Sequence, residues 1–154
     1  MESIWTAVTT VLIGVVIYAI SQVVTKFIIE PVYEQRQAIG EVIDALVFYG
    51  LIYLNKSSFD REKHDEVANA LRLKGSNLRV KSYAIPYYET LAWFNIVKSL
   101  KEINSVCKSL NVICFLIYDK DNQVKMKNKD SSLLIYEESN KIFNTLKFPS
   151  LNEE

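Results

Sequence analysis

Apolar positions are arranged in two ways along this chain. Through residues 3–25 they run almost without interruption: the stretch reads SIWTAVTTVLIGVVIYAISQVVT and holds no Asp, Glu, Lys, Arg or His. Further along they recur at helical spacing among charges. The first pattern predicts a helix that is apolar all round. The second predicts helices with one buried face. At about 1.5 Å per residue the first helix would be roughly 34 Å long, against a hydrocarbon core of roughly 30 Å. It is long enough to cross a bilayer with some tilt.

The boundary of that helix falls at Lys26. Pro31 suits a first helical residue, where a missing N–H costs nothing, and equally suits a kink in one continuous helix. Residues 39–54, IGEVIDALVFYGLIYL, contain an uninterrupted apolar run of ten at 45–54. That is short for a span and typical of a buried or interfacial helix. Glu41 and Asp44 lie three apart on one face, and each would cost about 2.5–3.5 kcal/mol near a bilayer centre. They form a polar seam that belongs at the interface or on a domain surface. Residues 1–29 therefore read as an anchor, 30–55 as an amphipathic packing helix or a second span, and 56–154 as a helical domain.

Within the domain, 55–60 reads as a turn, with Asp60 capping a helix to about Lys74. Gly75 suits the left-handed position after that helix. Ser76 then opens a shorter helix holding Leu78, Val80 and Ile85. Pro86 interrupts the pattern. Ser99 caps a helix to about Tyr118, with Leu100, Ile103, Val106, Cys107, Leu110, Cys114 and Ile117 on its inner face. The run VICFLIY at 112–118 would also suit a strand, but no partner strand is evident. Residues 119–122 look turn-like. Ser131 opens a last helix with Leu134, Ile135, Ile142, Phe143 and Leu146, ended by Phe148-Pro149. The expected fold is all-α: one N-terminal transmembrane helix, or a two-helix membrane hairpin, followed by a small helical domain.

Charge adds topology. Net charge is zero, yet of 18 basic residues only Lys26 and Arg36 precede position 56. By the positive-inside rule residues 56–154 face the cytoplasm, whether one span or two precede them. No long block of one sign suggests direct nucleic-acid binding. A cleavable signal peptide would need a basic start, a shorter apolar core and a small-residue cleavage site. None is visible, so a retained anchor is expected.

Some residues in and near the apolar segment are candidates for a role beyond anchoring. Thr10, Gly14, Tyr18 and Gln22 recur every fourth residue. The first two are small enough for another helix to approach closely, and Gln22 has a side chain able to hydrogen-bond across a helix pair. Trp5, Tyr87, Tyr88 and Trp93 have the amphipathic rings that suit a headgroup region, though the last three would suit a domain core as well.

Catalytic chemistry is not visible. There is no GxSxG, P-loop, GxGxxG or HExxH, and four scattered glycines make no phosphate cradle. His64 lies among charges in DREKHDE and reads as a surface histidine. Cys107 and Cys114 are seven apart, about 10 Å along a helix, too far for a disulfide, so they read as small buried hydrophobes. No enzyme activity, cofactor or metal is expected.

The stretch FIIEPVYEQRQAIGEVIDALVFYGLIYLN, followed at a distance by AIPYY, resembles a group of small bacterial membrane proteins. They share an N-terminal anchor, a Glu-Pro-x-x-Glu-Gln-Arg segment, a helix rich in Phe and Tyr, and a downstream Ile-Pro-aromatic element. Here these are Glu30-Pro31, Glu34-Gln35-Arg36, Ile39-Gly40, Phe48-Tyr49 and Ile85-Pro86-Tyr87. In architecture the chain also resembles membrane effectors of bacterial antiphage systems, including those encoded beside retron reverse transcriptases. That resemblance implies an inner-membrane toxin. A regulatory protein or ribonucleoprotein partner would hold it silent, and once released it would self-associate in the bilayer and halt the infected cell. The alternative is a non-toxic anchored scaffold that recruits a cytoplasmic partner.

Overall fold

A computed structural model describes residues 2–54, 60–118 and 131–146. Its elements are α1 (Glu2–Val24), a π-helical turn (Thr25–Ile29), α2 (Glu30–Phe48), α3 (Gly50–Leu54), α4 (Arg61–Tyr83), α5 (Tyr88–Trp93), α6 (Leu100–Tyr118) and α7 (Ser131–Leu146). Every one is helical, and among the described residues there is no strand. Residues 112–118 complete α6, where Ile113, Cys114 and Ile117 recur at helical spacing and are buried.

The first three elements form one continuous helix. Pro31 explains the wide turn inside it. Proline has no N–H, and its ring crowds the carbonyl four residues back. The chain widens just before it, so that the Glu30 N–H reaches the Thr25 carbonyl five residues earlier. Such a wide turn lets the helix continue past an obstacle without breaking. Pro31 thus sits in the first turn of α2 and in mid-rod at once.

Beyond this turn α2, α4, α6 and α7 make an up–down bundle. Gln35 meets Ser82 and Glu41 meets Lys74, so α4 runs antiparallel to α2. Cys107 meets Gly75 and Cys114 meets Ala68, so α6 returns antiparallel to α4. Lys98 reaches Thr145 just before α6, and Phe115 and Leu116 lie beside Leu134, so α7 runs back again. Val42, Leu46, Leu71, Leu78, Ile103, Leu110, Ile113, Ile135 and Ile142 fill one core. Each large aliphatic side chain so buried contributes roughly 1.5–3 kcal/mol.

Residues 30–54 therefore enter the bundle. α2 turns its apolar stripe toward α4, and α3 packs on α4 and α7. One described helix, Ile4–Phe48, is long and apolar enough to cross a membrane. The hairpin alternative would need residues 39–54 to fold back along α1. Instead α2 prolongs α1 and commits Val42 and Leu46 to the protein core.

Three local expectations are corrected. Gly75 ends no helix and Ser76 opens none: α4 runs through both to Tyr83. A Cβ there would lie 3.0 Å from Leu110 Cδ1, so its missing side chain lets α6 approach α4. His64 is no surface residue but is 2% exposed. The Asp60 carbonyl can only accept, so His64 Nδ1 donates to it at 2.9 Å. Asp60 holds the N-cap position, although its side chain makes no cap bond. The turn expected at 55–59, the stretch after Tyr118 and Phe148-Pro149 lie outside the described residues.

Candidate functional site at the junction of the long helix and the bundle

The end of the bundle nearest α1 is where the sequence elements singled out above meet. α2 enters there with Val32, Gln35 and Arg36. α4 ends there at Tyr83, α5 crosses it, and α6 starts from it. Val32, Ile85, Tyr88 and Val97 form a second small core, with Leu91, Ala92 and Leu100 packed against it. The Glu-Pro-x-x-Glu-Gln-Arg segment and the Ile-Pro-aromatic segment are thus two sides of one joint.

Its polar centre is Gln35, fully buried on α2. Gln35 Nε2 donates to Ser82 Oγ at 3.0 Å and to the Tyr88 hydroxyl. Ser82 in turn donates to the Leu78 carbonyl at 2.7 Å, and Tyr88 donates to the Lys98 carbonyl. Every proton in the set therefore has one acceptor, which also fixes which way the Gln35 amide faces. Within this set Gln35 Oε1 is buried without a partner. Burial raises the Tyr88 pKa above its usual value, against smaller opposing effects of the Gln35 and Ser82 bonds. Next to this centre Arg36 Nη2 donates to the Ile96 carbonyl at 3.1 Å.

α5 is held by unusual backbone at both ends. Tyr87 has φ 52° and Asn95 has φ 57°. Asparagine tolerates the left-handed region, but a bulky tyrosine does so at a cost of order 1–3 kcal/mol. The packing of Tyr88 beneath it holds the conformation and leaves the Tyr87 ring 82% exposed. At the far end Trp93 and Phe94 meet edge to face, 4.6 Å apart, and are 77% and 60% exposed. The loop from Phe94 closes on α6 through a capping box: Ser99 N–H donates to Glu102 Oε2 at 2.8 Å, and Glu102 N–H donates to Ser99 Oγ at 3.2 Å.

Of the aromatic candidates, Trp5, Tyr87 and Trp93 are exposed, whereas Tyr88 is buried and belongs to the joint. Sequence reasoning treated the two adjacent tyrosines alike. The left-handed turn at Tyr87 sends them to opposite sides. Gln35 and Ser82 were missed as a pair, because their 47-residue separation carries no spacing signal.

The remaining candidates lie apart from the joint. Thr10 Oγ1 donates to the Thr6 carbonyl at 2.8 Å, as Thr9 does to Trp5, so these hydroxyls are satisfied within α1. Nothing lies within 4 Å of a Cβ placed on Gly14. Tyr18 and Gln22 are exposed along the same face. Glu41 and Asp44 have different surroundings. Glu41 Oε2 accepts from Lys74 Nζ at 3.0 Å, which holds its carboxyl below the usual range, while Asp44 faces outward.

The buried thiols serve packing. Cys107 and Cys114 donate to the carbonyls of Gly75 and Ala68. Burial raises both pKa values, that of Cys114 to about 11. Such thiols hold little thiolate at neutral pH and are poor nucleophiles. Among the described residues no three His, Cys, Asp or Glu side chains converge as metal ligands.

No protein-family model, curated protein or solved structure matches this chain.

Proposed function

We propose that this chain is a membrane-anchored, non-enzymatic scaffold whose helical bundle stands at the cytoplasmic face of a bacterial inner membrane and recruits a partner there. The observation that carries the reading is the helix Ile4–Phe48. Its first half is apolar and exposed on all sides, and it continues without a break into a core helix of the bundle. An apolar helix with no protein around it is suited to lipid. The bias of Lys and Arg toward residues 56–154 supports the orientation. An apolar groove of about 380 Å³ between α6 and α7, edged by Val112, Phe115 and Leu134, supports a recruiting role.

The second reading is the toxic effector of a defence system such as a retron. The exposed stripe Thr10, Gly14, Tyr18 and Gln22 favours it, because such a face suits helix association. Opening a water path demands more: polar groups turned toward water. The hydroxyls of Thr9 and Thr10 instead donate back to the carbonyls of Trp5 and Thr6.

Replacing residues 3–25 with an unrelated apolar span separates the two. The full chain and the swapped chain are expressed alone, while dye uptake, membrane potential and growth are followed. The scaffold reading expects no permeability from either, with both retained in the membrane after carbonate extraction. Permeability from the native chain that the swap abolishes overturns the scaffold reading in favour of the effector. Loss of either chain to the carbonate supernatant overturns anchoring itself.

A further inference from the structure

Among the described residues nothing covers the exposed aromatics of α5. Tyr87, Trp93 and Phe94 point away from the small core that Tyr88, Leu91 and Ala92 join. Trp93 and Phe94 together make a contiguous exposed apolar patch, the kind of surface that marks a contact site. Their position indicates what covers them. α4 runs antiparallel to α2, so its C-terminal end and α5 return to the end of the bundle from which α1 leaves. α5 packs on Val32, seven residues beyond Thr25, which is roughly 10 Å along the helix. The headgroup layer spans about 5–8 Å on each side of the hydrocarbon. The exposed rings of α5 therefore lie within a side chain's reach of headgroup depth. Phe27 and Ile29 on the connecting turn are exposed at that depth.

We propose that the exposed aromatics of α5, Tyr87 at its start and Trp93 and Phe94 at its end, insert into the headgroup region of the leaflet that α1 enters, as a second membrane contact beside the span. The inference rests on the anchoring proposed above and extends it. One helix through a bilayer leaves a bundle able to tilt and rotate. A second contact, clamped to α2 by the Arg36–Ile96 bond and the Gln35–Tyr88 joint, fixes its orientation. The chemistry matches the occupant: the Trp93 indole and the Tyr87 phenol combine an apolar body with a polar tip, as favoured at bilayer interfaces, and the Phe94 phenyl ring adds apolar surface beside the indole. The left-handed Tyr87 gains a purpose, since it turns one tyrosine into the joint and its neighbour toward lipid.

The chain has two tryptophans, Trp5 and Trp93, so each can report alone. The full-length protein is placed in phosphatidylethanolamine–phosphatidylglycerol vesicles as Trp5→Phe, which leaves Trp93, and as Trp93→Phe, which leaves Trp5. Quenching is read with lipids brominated near the headgroup and with aqueous iodide. The expected result is a blue-shifted Trp93 that loses emission to bromolipid, is shielded from iodide, and behaves the same at every protein-to-lipid ratio. Adding Phe94→Ser to Trp5→Phe should weaken the bromolipid effect with the helical circular dichroism unchanged. If iodide reaches Trp93 fully while Trp5 stays shielded, α5 does not dock although the anchor holds. If iodide reaches both, the anchor fails and the inference with it. A Trp93 blue shift that disappears as protein is diluted in lipid assigns these aromatics to a second copy and overturns the proposal.

Discussion

α1 and α2 are two halves of one helix with opposite surroundings. Along α1, Val11, Ile13, Val15 and Ile17 are all more than half exposed, on every side of the helix. Along α2, Val32, Ala38, Val42 and Leu46 are buried on one side, while Tyr33 and Asp44 face out. The backbone hardly distinguishes them. What differs is the surface each presents: apolar all round in α1, at a length that could cross a membrane, and a single apolar stripe turned to a protein core in α2. The π turn at Thr25–Ile29 and Pro31 mark the change of surface.

The largest expected effect breaks that comparison directly. Leu46→Ala empties a fully buried site and should cost about 2–5 kcal/mol of bundle stability. Val16→Ala, the same kind of truncation in α1, should leave bundle stability unchanged. Denaturant unfolding of the full chain in micelles, followed by hydrogen exchange of α4 amides, measures both. Equal loss from the two variants would mean that α1 also packs on protein.

A smaller effect tests the joint between the halves. Tyr88→Phe strips the Lys98 carbonyl of its donor and should cost about 1–3 kcal/mol. Gln35→Met should cost less than about 1 kcal/mol. Ser82 and Tyr88 keep their own acceptors in that variant, and the unpartnered Oε1 is removed. The same unfolding measurement ranks the two, and the reverse order would overturn the bonding scheme.

The smallest effect is electrostatic. The hydrogen bond from Lys74 holds the Glu41 carboxyl below its ordinary 4.5. A carboxyl lowered in the folded state stabilises the fold above its ordinary pKa and loses that contribution as pH falls through its folded value. The Glu41–Lys74 contribution should therefore be complete above about pH 4.5 and fade below it. Both side chains are partly exposed, so it should amount to less than about 1 kcal/mol. Lys74→Met should flatten that part of the acid-stability curve, and an unchanged curve would show that the pair contributes nothing.

The all-helical class and the long N-terminal apolar helix were legible in the sequence, because period and length are local properties. The start of α6 after Ser99 was legible as well, since a capping residue acts within one turn. Gly75 was misread for the same reason that the others succeeded. Locally a glycine after Lys74 looks like a helix end, while its use here depends on Leu110 of another helix. His64 was misread because the charges around it in sequence occupy other faces of α4 than the one it buries. At the candidate site, Trp93 and Tyr87 could be named from composition. That Tyr88 departs from Tyr87 could not, because one backbone angle decides it.

By itself, then, the sequence determined a helix of bilayer length and the amphipathic helices after it, because side-chain periodicity and hydrophobicity act over a few turns. The tertiary structure alone decided where residues 39–54 go, which tyrosine is buried, and that Gln35 meets Ser82 and Tyr88. Those outcomes depend on contacts between residues far apart in the chain, and their geometry exists only once α2, α4 and α6 have packed.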